Sequence, residues 1–203
     1  MEIYVDRRIQ RSTNAIKSAF LKLLVQKPFQ HITISDIIRE ANYNRGTFYA
    51  HFESKEQLLQ LIIDDALKEM IEQIRVPYKN LATVHLAKLN SNDITLFQYF
   101  IDQVSLYKVL LSDHIQVDFR HQIALAIERL FIEEYEYENV SPTLDTKWLY
   151  VYRSHGIAGM IIRWIEEDFQ TPQEEMAQQI IELMLVSTDV FRVKFSAKHG
   201  HNS

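Results

Sequence analysis

Residues 33–59 read TISDIIREANYNRGTFYAHFESKEQLL, and this stretch decides the fold. Its apolar residues recur at the spacing of an amphipathic helix, first over Ile34 to Ala41 and again over a shorter segment from Arg45 to about His51. Thr33 and Asn44 stand directly before these segments, and both are good helix N-caps. The three residues between the segments begin with an asparagine, which tolerates the left-handed conformation of a tight turn. Two short helices joined in this way describe a helix-turn-helix.

A longer helix is predicted on each side of this stretch. The first runs from about Arg7 to Gln26 and is closed by Pro28. The second begins at Ser54 and runs to about Ile74. The second helix of the helix-turn-helix is short enough to enter a DNA major groove about 12 Å wide, provided that inward-facing residues anchor it. Phe48 and Phe52 are expected to be those anchors.

The rest of the chain also has helical spacing, so the predicted fold class is all-α. We predict an N-terminal three-helix DNA-binding domain over residues 1–53, a helical domain over 54–195 and a patternless, disordered tail over 196–203. Further helices are predicted over these segments: 79–90, 94–111, 115–137, 143–169 and from about 172 to Phe195.

The composition excludes several classes of protein. The chain has 203 residues with only 4 Gly and 4 Pro, too few turn formers for an all-β sandwich. It has no Cys, which excludes disulfide scaffolds, cysteine-ligated zinc and thiol catalysis. The N-terminus is polar and no apolar run approaches the roughly 20 residues of a membrane span, so we expect a cytoplasmic protein without membrane association.

The charge is distributed unevenly along the chain. Residues 1–55 hold 9 Lys and Arg against 5 Asp and Glu, whereas residues 56–203 hold 13 against 22. A basic N-terminal part on an acidic body suggests that the N-terminal part meets a polyanion. Chance clustering of charges is the alternative.

Recognisable catalytic patterns are missing from the sequence. It contains no nucleophile elbow, no phosphate-cradling glycine loop and no metal-ligand helix motif. We therefore expect no catalytic residues, no metal and no cofactor. Two other classes stay open at this point: an enzyme with a buried acid–base pair, and a helical protein-interaction module without DNA binding.

One segment has a family resemblance. The run Gly46-Thr47-Phe48-Tyr49, followed by His51-Phe52 and by Ser54-Lys55 before two leucines, resembles the DNA-binding segment of the TetR family of bacterial transcriptional regulators, over about residues 7–60. The resemblance implies an all-helical homodimer with an N-terminal DNA-binding domain and a C-terminal domain that senses a small molecule. The turn departs from the family's usual Ala-Gly-Val, since it reads Ala41-Asn42-Tyr43 here.

Residue by residue, the resemblance implies a set of DNA contacts. Tyr43 stands where the family has a small apolar residue, and we expect it to reach DNA itself. Tyr49 and His51 could instead be structural residues of a short helix. The residues expected near phosphates are Thr33, Tyr49, His51 and Lys55, and those expected near base edges are Asn44, Arg45, Gly46 and Thr47.

The predicted function is a ligand-responsive transcriptional regulator, most simply a repressor, whose partners are double-stranded DNA, a second copy of the chain and a small, largely apolar effector. Gly156 and Gly159 allow close helix approach, and the last helix has a broad apolar surface. Buried tyrosine hydroxyls need partners, which a ligand pocket with polar groups would supply, although core packing is the alternative. The predicted dimer residues are Gly156, Gly159, Met176, Ile180, Ile181, Leu183 and Met184, and the predicted ligand-binding residues are Tyr107, Tyr152 and Trp164.

Overall fold

The computed structural model describes residues 7–91, 94–138 and 141–194. The fold is helical with little strand, as the sequence predicts. The predicted tail over 196–203 and the predicted helix end at Phe195 lie outside the described residues. The helices are α1 (Arg7–Gln26), α2 (Ile34–Ala41), α3 (Arg45–Tyr49), α4 (Lys55–Arg75), α5 (Leu96–Asp102), α6 (Val104–Leu110), α7 (Phe119–Glu134), α8 (Thr146–Glu166) and α9 (Gln173–Leu185), and the strands are β1 (Thr83–His85), β2 (Tyr135–Tyr137) and β3 (Val190–Val193).

The chain divides into two compact units. The first unit runs through Ala66 and also takes in Ser105–Val117, while the second holds Leu67–Val104 and the chain from Asp118 onward. This division differs from the boundary predicted between residues 53 and 54. Helix α4 contributes to both units, because the division falls within it.

Specific hydrogen bonds explain why residues 105–117 belong to the first unit. The backbone N–H of Phe29 donates to the carbonyl of His114 at 2.8 Å. The imidazole Nδ1 of His114 lies 2.6 Å from the carbonyl of Leu24, at the end of α1. The hydroxyl of Tyr107 donates to the carbonyl of Ala66 at 3.2 Å. These bonds join chain segments far apart in sequence, which local spacing does not reveal.

Short polar residues set the ends of the helices in the first unit. Thr33 and Asp36 form the capping box predicted at the start of α2. Asn42 ends α2 in the left-handed conformation, with φ 57°, as expected of an asparagine in a tight turn. Helix α1 has the predicted bounds. The buried core of this unit includes Ile16, Phe20, Leu24, Ile37, Phe48 and Phe52.

Three of the helix predictions are wrong in part, because segments of them form a small antiparallel sheet in the second unit. Its strand order is β1-β3-β2, with Phe191 of β3 opposite Val84 on one side and Tyr137 on the other. The segments around β1 and β2 and beyond α9 were all expected to be helical. Phe191 is fully buried, and Tyr135 and Tyr137 point to the same side of β2 because side chains alternate along a strand.

Candidate nucleic-acid interface

Helix α3 is fixed at both its core side and its N-terminus. Phe48 is 0 % exposed and contacts Phe52, with ring centroids 5.5 Å apart. The Oδ1 of Asn44 accepts from the backbone N–H of Thr47 at 2.9 Å and from its hydroxyl at 3.2 Å. A five-residue helix is unstable in isolation, so these contacts determine its position.

The opposite side of α3 is open to solvent. Tyr43, Asn44, Arg45 and Gly46 are exposed, and so is Tyr49 one turn later. The guanidinium carbon of Arg45 lies 5.9 Å from the centre of the Tyr49 ring, which holds the cation beside an aromatic face. Since Asn44 uses its Oδ1 for the cap, its side-chain N–H₂ group faces outward as a donor. The exposed side of α3 and the turn before it therefore carry a guanidinium, an amide and two phenols.

Little space is left for a side chain at Gly46, whose backbone angle is an ordinary one. A Cβ atom at this position would lie 3.2 Å from Asn44 Oδ1, the atom that caps α3. A larger residue would push against the cap. The absence of a side chain also lets the backbone approach a ligand closely.

The predicted phosphate ligand Thr33 is engaged in its own cap. Its hydroxyl accepts from the N–H of Asp36 at 3.1 Å and donates to the Asp36 carboxylate at 2.9 Å. That carboxylate also accepts from the backbone N–H of Thr33 and from the ammonium of Lys27, each at 3.0 Å. The backbone hydrogen bond from Thr33, followed by the one from Lys27, holds the pKa of Asp36 well below its usual range.

This lowered pKa predicts how the stability of the cap depends on pH. An acid whose pKa is lower in the folded state stabilises that state above its unfolded pKa, and loses this effect as the pH falls through the folded value. We expect the melting temperature of the wild type to exceed that of Asp36→Asn most at neutral pH, with the difference shrinking below about pH 4. Thermal melts from pH 7 to pH 2 measure this difference. Asp64→Asn, which alters an exposed carboxylate that accepts from Gln60, is the control, and a difference that stays constant with pH would contradict the prediction.

His51 is joined to α1. Its Nε2 lies 2.6 Å from the Oγ of Ser12. That hydroxyl also lies 3.0 Å from the carbonyls of Arg8 and Ile9, so the tautomer of the imidazole decides which of the two side chains donates. This hydrogen bond positions the end of α3 against α1, and a role for His51 at phosphate stays a prediction.

Lys55 also has partners within its own unit. Its ammonium donates to the carbonyls of Phe29 at 2.9 Å and Ile32 at 2.8 Å, and it lies 4.4 Å from the centre of the Phe29 ring. These bonds satisfy carbonyls at the turn before α2. A role for Lys55 at phosphate stays a prediction, and the contacts seen are structural.

The three predicted ligand-binding residues lie in three different environments. Tyr107 is buried, with its hydroxyl already donating to Ala66, and Trp164 is buried, with its indole N–H donating to the carbonyl of Thr171 at 2.7 Å. Tyr152 is 64 % exposed on the surface of α8. The structure thus satisfies two of these polar groups internally and does not bring the three residues together.

A cavity does lie in the second unit, with other residues around it. The space enclosed there is about 60 Å³, and the wider depression around it opens to solvent. Its wall includes Ile74 from the end of α4, and Tyr135, whose hydroxyl is buried and has no hydrogen-bond partner among the described residues. The remaining lining is apolar or aromatic and includes Tyr78, Phe97, Ile127, Phe131 and Ile157.

The predicted dimer residues divide into two groups. Ile180, Ile181 and Met184 are buried within the chain and line this cavity, so the inner face of α9 is covered without a partner. Gly156 and Gly159 are exposed, and nothing lies within 4 Å of a Cβ placed on either. Leu183 is exposed and Met176 is half-buried. Trp148 and Val186 are also exposed here and were not predicted, and the exposed Tyr152 was predicted as a ligand-binding residue.

Three further functional candidates were also missed. Ser12 looks like an ordinary polar residue of α1, and only the folded chain shows it against His51. Tyr135 was assigned to a helix. Arg153 follows Leu149 and precedes Ile157 at four-residue spacing, which places a cation on the apolar stripe of α8 and was the available signal.

The part of the chain that is described holds neither a cluster of metal-ligating side chains nor a membrane-spanning helix. Residues 7–91, 94–138 and 141–194 contain no group of three or more His, Asp or Glu side chains placed to hold a metal ion. None of their helices combines the length and apolar character needed to cross a membrane.

Both parts of the chain match known protein families. The family described as bacterial regulatory proteins of the tetR family matches residues 16–62. A second family, described as a transcriptional regulator C-terminal region, matches residues 91–185. The first match covers the helix-turn-helix and the second covers most of the second unit.

Individual relatives agree with this assignment. YxbF of Bacillus subtilis strain 168, named an uncharacterized HTH-type transcriptional regulator, is 42% identical over 76 residues, which are 37% of this chain and 20% of that protein. DhaS of Lactococcus lactis, named an HTH-type dhaKLM operon transcriptional activator, is 24% identical over 87% of this chain and 90% of its own length. The crystal structure of a TetR transcriptional regulator from Streptococcus agalactiae 2603V has the same fold, with a TM-score of 0.61 and 24% identity over 88% of this chain and 96% of that one. This chain belongs to the TetR family of transcriptional regulators.

Proposed function

We propose that this regulator binds a roughly palindromic DNA site as a homodimer, that it represses transcription there, and that a small molecule releases it. The exposed side of α3 carries the proposal, because Asn44, Arg45 and Tyr49 are exposed while Phe48 anchors the helix in the core. A helix presented in this way enters the major groove, and a two-fold dimer reads two half-sites about one helical turn, or a multiple, apart.

The proposed contacts follow from the donors at this surface. Arg45 pairs with guanine, whose major-groove edge has two acceptors, and the side-chain N–H₂ of Asn44 donates to a base acceptor. Tyr43 and Tyr49 donate their hydroxyls to phosphate oxygens. Gly46 and Thr47 lie at the helix end where the backbone comes closest to the bases. His51 fixes the orientation of α3 through its hydrogen bond with Ser12.

Arg45→Ala tests the groove assignment. We expect DNA affinity for the specific site to fall by about 1–3 kcal/mol, with relaxed base preference, because a bidentate pair with guanine is lost. Fluorescence anisotropy with DNA from upstream of the protein's own gene, and with a scrambled duplex, measures both quantities. Arg163→Ala removes the same charge from an exposed position on α8 and is the control. Equal affinities of Arg45→Ala and the wild type for both duplexes would contradict the assignment.

Activation is the second candidate for the direction of control. DhaS, which is similar to this chain over most of its length, is named an activator. Both readings use the same DNA-binding surface. Deleting the gene and measuring a reporter driven by its upstream region separates them, since expression rises if the protein represses and falls if it activates.

We also propose that α8 and α9 form the dimer interface. Their outer surface exposes Trp148, Tyr152, Leu183 and Val186, with Gly156 between them offering room for close approach. Four helices, two from each chain, would cover these side chains. Obligate interfaces of this kind often bury more than about 2,000 Å² in total.

Sedimentation tests the dimer. We expect the full chain, at micromolar concentration, to sediment as twice its 24.0 kDa mass, and we expect Leu183→Glu to shift it toward the monomer because a carboxylate would be buried in the interface. Gln178→Glu, an exposed position on the same helix but off the face that carries Leu183 and Val186, is the control. A wild type that sediments at 24.0 kDa would contradict the proposed interface.

The proposed effector site is the cavity beside Ile74. Helix α4 begins directly after the helix-turn-helix, and at 1.5 Å per residue it is roughly 30 Å long. A ligand that favours one packing of Ile74 over another can therefore bias the DNA-binding helices through a continuous helix. The coupling between effector and DNA is expected to be about 1–3 kcal/mol and reciprocal.

A further inference from the structure

Arg153 is a buried cation whose hydrogen bonds are incomplete. It is 3 % exposed on the inner side of α8. Its Nε and Nη2 donate to the hydroxyl of Ser187 at 3.1 and 2.9 Å, and Nη2 also donates to the carbonyl of Met184 near the end of α9. Its Nη1 is buried and has no hydrogen-bond partner among the described residues.

Capping of α9 accounts for only part of this arrangement. A guanidinium at a helix C-terminus is favourable because the last carbonyls carry partial negative charge. That effect explains the bonds of Nε and Nη2. The acceptors around Arg153 are nevertheless all uncharged, namely Ser187 and the carbonyls of Met184 and Thr188. A buried charge normally has a partner of opposite sign, and none of the described carboxylates supplies one.

The tyrosine beside Arg153 also lacks an acceptor for its hydroxyl. The guanidinium carbon lies 4.3 Å from the centre of the Tyr137 ring. The Tyr137 hydroxyl is buried and donates to no acceptor in the described chain. Burial raises the pKa of Tyr137 to about 12, against the opposing effect of Arg153, so its hydroxyl keeps its proton and can donate. A buried guanidinium and a buried phenol thus lie side by side without a negatively charged partner among the described residues.

The cavity is separated from Arg153 by apolar side chains that it shares with a neighbouring space. Tyr135 lines the cavity directly. Ile157, Ile180 and Met184 line both the cavity and a second, neighbouring space that Arg153 lines. Methionine is the most adaptable of the apolar side chains, so Met184 can yield to a ligand that extends from one space toward the other.

We propose that Arg153 and the hydroxyl of Tyr137 bind the carboxylate of a monocarboxylic acid whose apolar body occupies the cavity. A carboxylate supplies the missing negative charge and the missing acceptors, and it pairs with a guanidinium through parallel hydrogen bonds. The apolar lining of the cavity accommodates the remainder of such a molecule. This inference rests on the proposed function in that it names the chemical class of the effector.

Matched probes test the carboxylate on the wild-type full chain. Isothermal titration compares octanoate with octan-1-ol, and phenylacetate with 2-phenylethanol, while acetate tests the head group alone. We expect at least one acid to bind about tenfold or more tightly than its alcohol, because a charge-assisted hydrogen bond is lost in the alcohol. Acetate should bind much more weakly than that acid. Equal binding of acid and alcohol in both pairs, or no binding by any probe, would overturn the proposal.

Variants locate the site. Arg153→Met should bring the affinity for the acid down to that of the alcohol, and Tyr137→Phe, which removes only an oxygen, should weaken acid binding several-fold while leaving alcohol binding unchanged. Tyr137→Phe keeps the test valid if Arg153→Met fails to fold. Arg163→Met, an exposed change on the same helix, is the control. Unchanged acid binding by both Arg153→Met and Tyr137→Phe would overturn the proposed site.

The same titrations distinguish this inference from the proposed function. If the acid binds through Arg153 but leaves DNA affinity unchanged, the carboxylate site stands and the ligand response of the proposed function fails. If a neutral ligand releases DNA equally from the wild type and Arg153→Met, and the acids bind no more tightly than their alcohols, the ligand response stands and the carboxylate site fails.

Discussion

Phe48→Ala is expected to destabilise the first unit by about 3–5 kcal/mol and to abolish DNA binding with it. The ring is fully buried and lies against Phe52 and Tyr49, so truncation leaves a cavity beneath a helix only five residues long. Because such a helix is not stable alone, loss of its anchor displaces Arg45 and its neighbours from the groove-reading position.

The adjacent residue supplies the matched control. Tyr49 is half exposed, and Tyr49→Ala should change stability by only about 0.5 kcal/mol while weakening DNA binding through the lost phosphate contact. Urea unfolding monitored by circular dichroism, with hydrogen exchange to assign the loss to the first unit, measures the difference. A Phe48→Ala protein as stable as Tyr49→Ala would show that α3 is held by something other than this ring.

Phe191→Ala should have a comparable effect on the second unit, about 3–5 kcal/mol. Phe191 is buried at the centre of an aromatic cluster, with ring centroids 5.5 Å from Tyr78, 4.6 Å from Tyr135 and 5.8 Å from Tyr137. It also occupies the middle strand of the sheet, so the pairing on both sides depends on it. Such aromatic pairs add to the stability from burial alone.

Arg192 is the corresponding control, because it follows Phe191 on the strand and points to solvent. Arg192→Ala removes an exposed ion pair with Glu138 and should cost about 0–1 kcal/mol. Hydrogen exchange at the amides of the three strands should increase strongly in Phe191→Ala and little in Arg192→Ala. Equal protection in both variants would mean that the aromatic cluster does not hold the sheet.

Local chemistry was enough to predict the DNA-binding helices. The capping box of Thr33, the cap of Asn44 and the left-handed turn at Asn42 each depend on residues within four positions of one another. The same holds for the limits of α1, which Pro28 and the apolar spacing define. Interactions of this range can be read from a sequence because nothing distant competes with them.

The sheet and the polar cluster depended on distant partners. Each strand has only three or four residues, and β3 pairs Arg192 with Thr83, more than a hundred positions earlier. The alternation of buried tyrosines and an exposed glutamate in β2 indicated a strand. Because β2 directly follows a helix, its residues were assigned to that helix. Arg153 was overlooked for a related reason. A cation on an apolar helix face indicates a binding site only if no carboxylate pairs with it, and the sequence does not show which residues surround it.

Residues 105–117 pack with the first unit, although they lie far from it in sequence. This limits which gene segments can be recombined without disturbing the first unit. Genetic recombination near residue 60 would transfer the DNA-reading helices without His114, whose bonds to Phe29 and Leu24 complete their packing. An N-terminal segment transferred in this way would have to pack against a 105–117 segment from a different parent protein. New operator specificity is therefore expected to arise through substitutions on the exposed side of α3, and chimaeric regulators should be built with both segments taken from the same parent.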